Sequence, residues 1–385
     1  MTTAVARIGE LCRGFSQPGG GLDDAVLDAI VVAHARASVA QFLTVHAAPI
    51  DAAAPGLGDT LRAWWAAPRE RPDALDRAVG DAAAAVCDPG LSPVRVAAQL
   101  GLWAAARGAV ATWSLRSREP LALWWDRSAL PPLRALDVVS DGEVAHLRLR
   151  TLDGACAEAV YTRGAPGDGR QPARVGELWL LAEPDLPPDL QPLAFFRGGR
   201  PAPAIHPAAA QSLADGVALL TGALPWRAWV CALVKEVILL VPPTATRSIS
   251  GSSSDMPGLV AISSADALRT AEMLVHESTH LYFHVATRLG PVQDGSDAAL
   301  YYSPAVGRER PLHRVLLAYH AFGNVLVWYR GLLAQGGAPE GAAEQATRLR
   351  VEVAQLEAPL RGHAALTAVG RALFEPLACR LAETE

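Results

Sequence analysis

Lysine is nearly missing from this chain: Lys235 stands alone against 33 arginines, and the formal net charge is -5. No global basic field is available to recruit nucleic acid or an anionic membrane surface, so neither is expected as a partner. Abundant Ala, Gly and Pro accompany the arginine bias, which makes any single surface arginine a weak functional signal. Cysteine is sparse too. Cys12, Cys87, Cys156, Cys231 and Cys379 are far apart, odd in number and form no CxxC pair. That spacing argues against a disulfide framework and a thiolate metal site, and it suits a reducing, cytoplasmic setting. The opening MTTAVARIGELCRG lacks the charged-then-apolar pattern of an export signal, and no uninterrupted apolar run approaches the roughly 18 residues of a membrane span. No repeat at solenoid periods is visible, and nothing bears on oligomeric state.

What is present is the composition of an ordinary globular protein: 385 residues, 51% hydrophobic and 19% charged. This length predicts two or three structural units. The first third is rich in Ala and Leu and poor in β-branched residues, which favours helices. In Asp23 to His46, the residues Leu22, Val26, Leu27, Ile30, Val31, His34, Ser38 and Phe42 recur at spacings of three and four. Segments 59–66, 72–87 and 93–115 are expected to be helical as well. Trp64, Trp65, Trp103, Trp113, Trp124 and Trp125 cluster here, as packing aromatics or as the walls of a peptide groove. From about 136 the pattern alternates, as in Glu143 to Leu152 and Gly176 to Leu181, and strands are expected. Residues 182–207 are proline-rich and unsuited to a long helix or a central strand. The expected class is therefore α+β and helix-rich. It comprises a helical region at 1–135, a strand-containing middle section with a proline-rich linker at 136–207, and a catalytic unit at 208–385.

The chemistry lies between about 229 and 330. Trp229 to Val241 is expected as a buried strand, a polar loop follows, and Leu259 to Ser263 is a second strand. Ser264 or Asp266 can cap the helix that comes next. Within it stands His276-Glu277-Ser278-Thr279-His280, an HExxH motif. Residues four apart share a helix face, so both imidazoles can converge on one metal with Glu277 beside an open coordination position. With ten histidines in the chain, the motif should arise by chance in roughly one such chain in a hundred. His284 continues the series at i+8 but is expected to drift off the site. The alternative, an exposed and merely polar helix face, fits poorly with the apolar flanks Ala271 to Val275 and Leu281 to Val285. Strand, loop, strand and HExxH helix is also the order in zincin-type metalloprotease domains, an analogy only.

A third ligand is needed. Phe283 and Ala286 stand where the extended HExxHxxGxxH motif has Gly and His, and no NExxSD helix follows. The next helix, from about Pro311 to Leu333, carries His313 and His320 on one face, with Glu309 just before it. His320 is the favoured third ligand, with His313 and Glu309 as alternatives.

VHESTH, the SGSSSDMPG loop and YYSPAVGRERPLHRVLLAYHAFGNV together resemble a family of HExxH-containing peptide-modification proteins from the biosynthesis of ribosomally made, modified peptides. The resemblance spans roughly 250–330. It implies an iron(II)- and 2-oxoglutarate-dependent peptide β-hydroxylase on a zincin-like scaffold, acting on a precursor peptide. The chain departs from the family pattern at Ala305-Val306, where Trp-Arg is usual, and at Phe322, where His is usual. A non-haem iron oxygenase uses three protein ligands and leaves positions for a bidentate 2-oxo acid and O₂. Its distal carboxylate calls for an arginine fork, for which Arg310, or Arg308 in its place, is available, and Ser250, Ser252 and Ser253 offer hydroxyls. Two other readings remain open: a zinc metallopeptidase with Glu277 as general base, and a non-catalytic peptide-binding protein with a degenerate site.

Overall fold

The computed structural model describes residues 3–383 apart from 22–23, 67–79, 81, 84, 87–89, 126–127, 164–171, 187–195, 197, 221–223, 245–247, 255, 257 and 264. The fold is α+β and helix-rich, as the patterning predicts. The chain opens with α1 (Thr3–Arg13), α2 (Asp24–Val45), α3 (Ala47–Ala53), α4 (Leu57–Ala66) and α5 (Pro93–Ala106). In α2 the buried positions are Leu27, Val31, Ala35, Ser38, Val39, Phe42 and Leu43, a stripe at three- and four-residue spacing. Its stretch Ala25–Val45 is long and apolar enough by composition to cross a membrane, yet this stripe packs into the protein core. Most of the helix expected at 72–87 lies outside the described residues.

The segment 93–115, expected as one helix, divides. α5 is capped by Ser92, whose side chain accepts from the Arg95 amide, and has Pro93 in its first turn. After Gly108, which holds a positive φ of 91°, strand β1 (Val110–Leu121) begins. Ala111, Trp113 and Leu115 face inward and their neighbours outward, a period of two that overrides the helical composition before it. Next come β2 (Trp124–Trp125), β3 (Ser128–Ala129), β4 (Leu133–Asp141), β5 (Val144–Thr151) and β6 (Cys156–Thr162). β1, β4, β5 and β6 form an antiparallel sheet in that order, covered on one face by α4 and α5. All six tryptophans of this region are buried, with Trp65 and Trp103 stacked 5.3 Å apart, so they pack the core.

A second, mixed sheet positions the site. β7 (Ala173–Val175), β8 (Leu178–Leu181) and β9 (Arg200–Pro201) precede α6 (Pro207–Ala218) and α7 (Trp226–Leu233). β10 (Glu236–Val241), β11 (Ser250–Ser252) and β12 (Leu259–Ser263) then complete the order β11-β12-β10-β8-β7, with β9 antiparallel to β10. Strands on both sides of residue 207 thus share one sheet. Trp229 to Val241 starts as helix rather than strand: Trp226, Trp229, Val230 and Leu233 are buried at helical spacing, and only Glu236–Val241 is extended. β10 is apolar along its whole middle because both faces are covered. Val237 and Leu239 enter the main core, while Ile238 and Leu240 meet Leu181, Ile249, Met256 and Leu259 on the other side.

The HExxH segment lies on α8 (Ala267–Thr287), capped by Asp266, which accepts from the Arg269 amide at 2.9 Å. The hairpin β13 (Leu300–Ser303) and β14 (Arg308–Pro311) leads into α9 (Leu312–Ala334), followed by α10 (Ala342–Glu357) and α11 (Ala368–Glu383). α9 packs against α8, α10 and α11. At Gly323 an added Cβ would meet Leu377 Cδ2 at 2.8 Å, so the absence of a side chain permits the close approach of α9 and α11.

Candidate metal and substrate cavity

Two stripes run along α8. Leu268, Ala271, Leu274, Val275, Leu281, Tyr282 and Val285 are buried against the sheet and neighbouring helices. Arg269, Glu272, Met273, His276, His280 and His284 recur at three and four residues and line a cavity of about 570 Å³. Its other walls come from β11, the hairpin, α9 and α10, through Ser250, Ser252, Val306, Arg310, Arg314, Phe322 and Arg348 among others.

The His276 and His280 rings are 4.6 Å apart and nearly perpendicular, both half-buried, as the i, i+4 spacing predicts. His284, expected to leave the site, lines the same cavity. It lies two turns from His276, about 12 Å along the axis at 1.5 Å per residue, so it extends the imidazole row rather than closing a shared coordination sphere. Phe322 stands 5.5 Å from His276, giving the α9 wall an aromatic ring.

Glu277 is fully buried, and both its oxygens are engaged: Ser250 Oγ donates to Oε1 and Ser252 Oγ to Oε2, each at 2.6 Å. The polar loop expected here includes a three-residue strand. Alternation along β11 puts Ser250 and Ser252 on one side, which lets both hydroxyls reach the same carboxylate. These bonds supply the partners that a buried charge requires. The motif's inner hydroxyls are satisfied locally, since Thr279 Oγ1 and Ser278 Oγ both donate to the Val275 carbonyl at 2.7 and 3.0 Å.

His320, the favoured third ligand, is placed elsewhere. It is fully buried, is not among the cavity-lining residues, and its Nε2 lies 3.0 Å from the Phe15 carbonyl and 2.9 Å from that of Ser16. Burial drives its pKa down to about 4, and the neutral ring donates from Nε2 to these carbonyls. One turn on, Asn324 Nδ2 donates to Ser16 O at 2.8 Å, so the two side chains fasten the segment after α1 to α9. The two alternatives do not line the cavity either. Glu309 is exposed on β14, opposite Tyr302. His313 sits in the first turn of α9, its pKa lowered by burial and then by the nearby Arg314 and Arg310. Among the described residues no three His, Cys, Asp or Glu side chains close on one metal position. What stands at the cavity wall is two adjacent imidazoles, without the third protein ligand expected from the spacing.

Of the cationic candidates, Arg310 lines the cavity and Arg308 lies exposed outside it; Ser252 is present at the wall but committed to Glu277. Sequence reasoning missed Arg269, Glu272, Arg314 and Arg348. A signal for the first two was available in the 269-272-276-280-284 spacing, whereas Arg348 arrives from α10 with no local pattern to mark it. Glu272 accepts from Arg269 Nη1 and from the Tyr329 hydroxyl, both at 2.6 Å. The hairpin is tied down by Tyr301, whose hydroxyl lies 3.0 Å from Asp297 Oδ2 and 2.9 Å from His363 Nε2. No protein-family profile matches the chain, and no curated protein is significantly similar to it.

Proposed function

We propose that this chain is an iron(II)- and 2-oxoglutarate-dependent oxygenase that hydroxylates a side-chain β-carbon within a ribosomally made precursor peptide. The observation that carries this reading is the His276–His280 pair on one wall of a cavity whose other walls present arginines. His276 and His280 would hold the metal, and Arg310 would receive the distal carboxylate of the 2-oxo acid. The bound metal and 2-oxo acid together supply the oxidising chemistry for attack on an unactivated C–H bond.

The chain's own residues bind, orient and exclude water. Glu277, held by Ser250 and Ser252, locks α8 to β11 and so fixes the rotation that turns both imidazoles to the cavity. Met273 and Phe322 make the wall beside His276 apolar. The hairpin anchored by Tyr301 carries Arg310 into position. A zinc peptidase would need Glu277 as a general base on water, and the occupation of both its oxygens weighs against that reading. A cytoplasmic location goes with the proposed role.

The test is an anaerobic visible spectrum of metal-free protein titrated with Fe(II) and 2-oxoglutarate. A charge-transfer band that needs both additions, and is lost in His276→Ala and His280→Ala, supports the oxygenase. Tight zinc binding with no such band refutes it and directs attention to peptide cleavage. If neither metal binds, the non-catalytic peptide-binding reading takes its place.

A further inference from the structure

The charge of the cavity carries the reading above one step further, to the chemical class of the peptide. Among the described residues four guanidiniums line it, Arg269, Arg310, Arg314 and Arg348, against one lining carboxylate, Glu272. That carboxylate is already committed to Arg269 and Tyr329 at 2.6 Å, and Arg348 stands 3.9 Å from it and 3.8 Å from Glu352. Bound 2-oxoglutarate would occupy Arg310. Arg314 is left with no carboxylate within salt-bridge distance among the described residues; it is exposed and lines the cavity together with the exposed Ala305 and Val306. In a chain of net charge -5, this is a local positive focus, and attraction to an anion is stronger in a partly enclosed cavity than on an open surface.

We propose that the cavity receives an acidic peptide segment, with an Asp or Glu side-chain carboxylate docking on Arg314 and a second carboxylate reaching Arg348. This rests on the peptide-oxygenase reading, and recognition can be measured apart from turnover. The probe is fluorescein-labelled Gly-Asp-Glu-Asp-Glu-Asp-Gly, compared by fluorescence anisotropy with its amide counterpart Gly-Asn-Gln-Asn-Gln-Asn-Gly. The full chain is used, once with chelator and once anaerobically with Fe(II) and 2-oxoglutarate. The acidic peptide is expected to bind at least about tenfold tighter at about 50 mM salt, with the advantage shrinking to about twofold near 0.5 M. Arg314→Gln should weaken the acidic peptide about tenfold and leave the amide peptide unchanged. Because Arg314 is exposed, the variant's urea midpoint should match that of the parent, which separates lost recognition from lost folding.

Equal binding of the two peptides overturns the proposal, as does an Arg314→Gln variant that keeps the preference. An oligothymidylate of equal length binding as tightly as the acidic peptide also overturns it, in favour of a general polyanion site. When O₂ is then admitted to the Fe(II) and 2-oxoglutarate sample, selectivity without succinate formation supports acidic recognition while refuting the oxygenase. Succinate formation without selectivity does the reverse.

Discussion

Replacing Ser252 with alanine removes the 2.6 Å hydrogen bond to Glu277 Oε2 and leaves a fully buried carboxylate on one remaining hydroxyl. A hydrogen bond to a charged group is worth about 1.5–3 kcal/mol, so the variant should lose about 2 kcal/mol of folding stability. Ser250→Ala should lose a similar amount, and the double variant about 4 kcal/mol or more, because the charge then lacks either hydroxyl. For 385 residues the unfolding entropy is about 0.8 kcal/mol per kelvin, so each single change should lower Tm by about 2–3 °C. The decisive measurement is a double-mutant cycle by urea denaturation. In a Glu277→Ala background the serine has no carboxylate to serve, and Ser252→Ala should cost no more than about 0.5 kcal/mol, giving a coupling near 1.5 kcal/mol at unchanged m-value. Costs of Ser252→Ala and Glu277→Ala that add to within about 0.3 kcal/mol would refute the reasoning. Glu277 would then be free of β11 and available for chemistry at the metal.

Three further outcomes are expected. His320 has a folded-state pKa near 4 because of its burial, while the unfolded chain takes up the proton near pH 6.5. Stability should therefore be full above about pH 6.5 and fall by roughly 3 kcal/mol as pH drops to 4. His320→Asn should flatten that slope in urea titrations across pH, lower stability at pH 8, and leave calorimetric zinc affinity at His276 and His280 within about twofold. Gly216→Ala should destabilise by about 1–3 kcal/mol, since a Cβ there would meet Thr270 Cγ2 at 2.8 Å and the Ala267 carbonyl at 3.2 Å where α6 crosses α8. Circular dichroism melting checks this, and an unchanged Tm would contradict it. Tyr301→Phe removes the hydroxyl shared by Asp297 and His363 and should speed amide exchange in 300–311 about tenfold, read by mass spectrometry. Exchange as slow as in the parent would show that the hairpin is held by other contacts.

Much of the secondary structure was legible because its causes are local. The three- and four-residue apolar stripe of α2, the Asp266 cap of α8 and the period-two alternation of β5 can all be read within one segment. Misreadings fell where local signals compete. Trp229 to Leu233 is an apolar run that periodicity alone cannot divide between a buried strand and a buried helix, and its partners Tyr282 and Trp226 decided for helix. At 110–115, the helical composition of the preceding segment masked the inward Ala111, Trp113 and Leu115.

For the site, the spacing of His276 and His280 by itself determined that two imidazoles share a helix face, because 3.6 residues per turn leaves no other arrangement. Only tertiary structure decided where the longer reaches end. Glu277 meets serines 27 and 25 residues upstream, and His320 meets carbonyls 305 and 304 residues away. Arg348 reaches the cavity from another helix altogether. A helix repeat specifies which side chains lie on one face. What covers that face depends on contacts between distant segments, and so does the choice between a polar group that meets a ligand and one that closes on the protein itself.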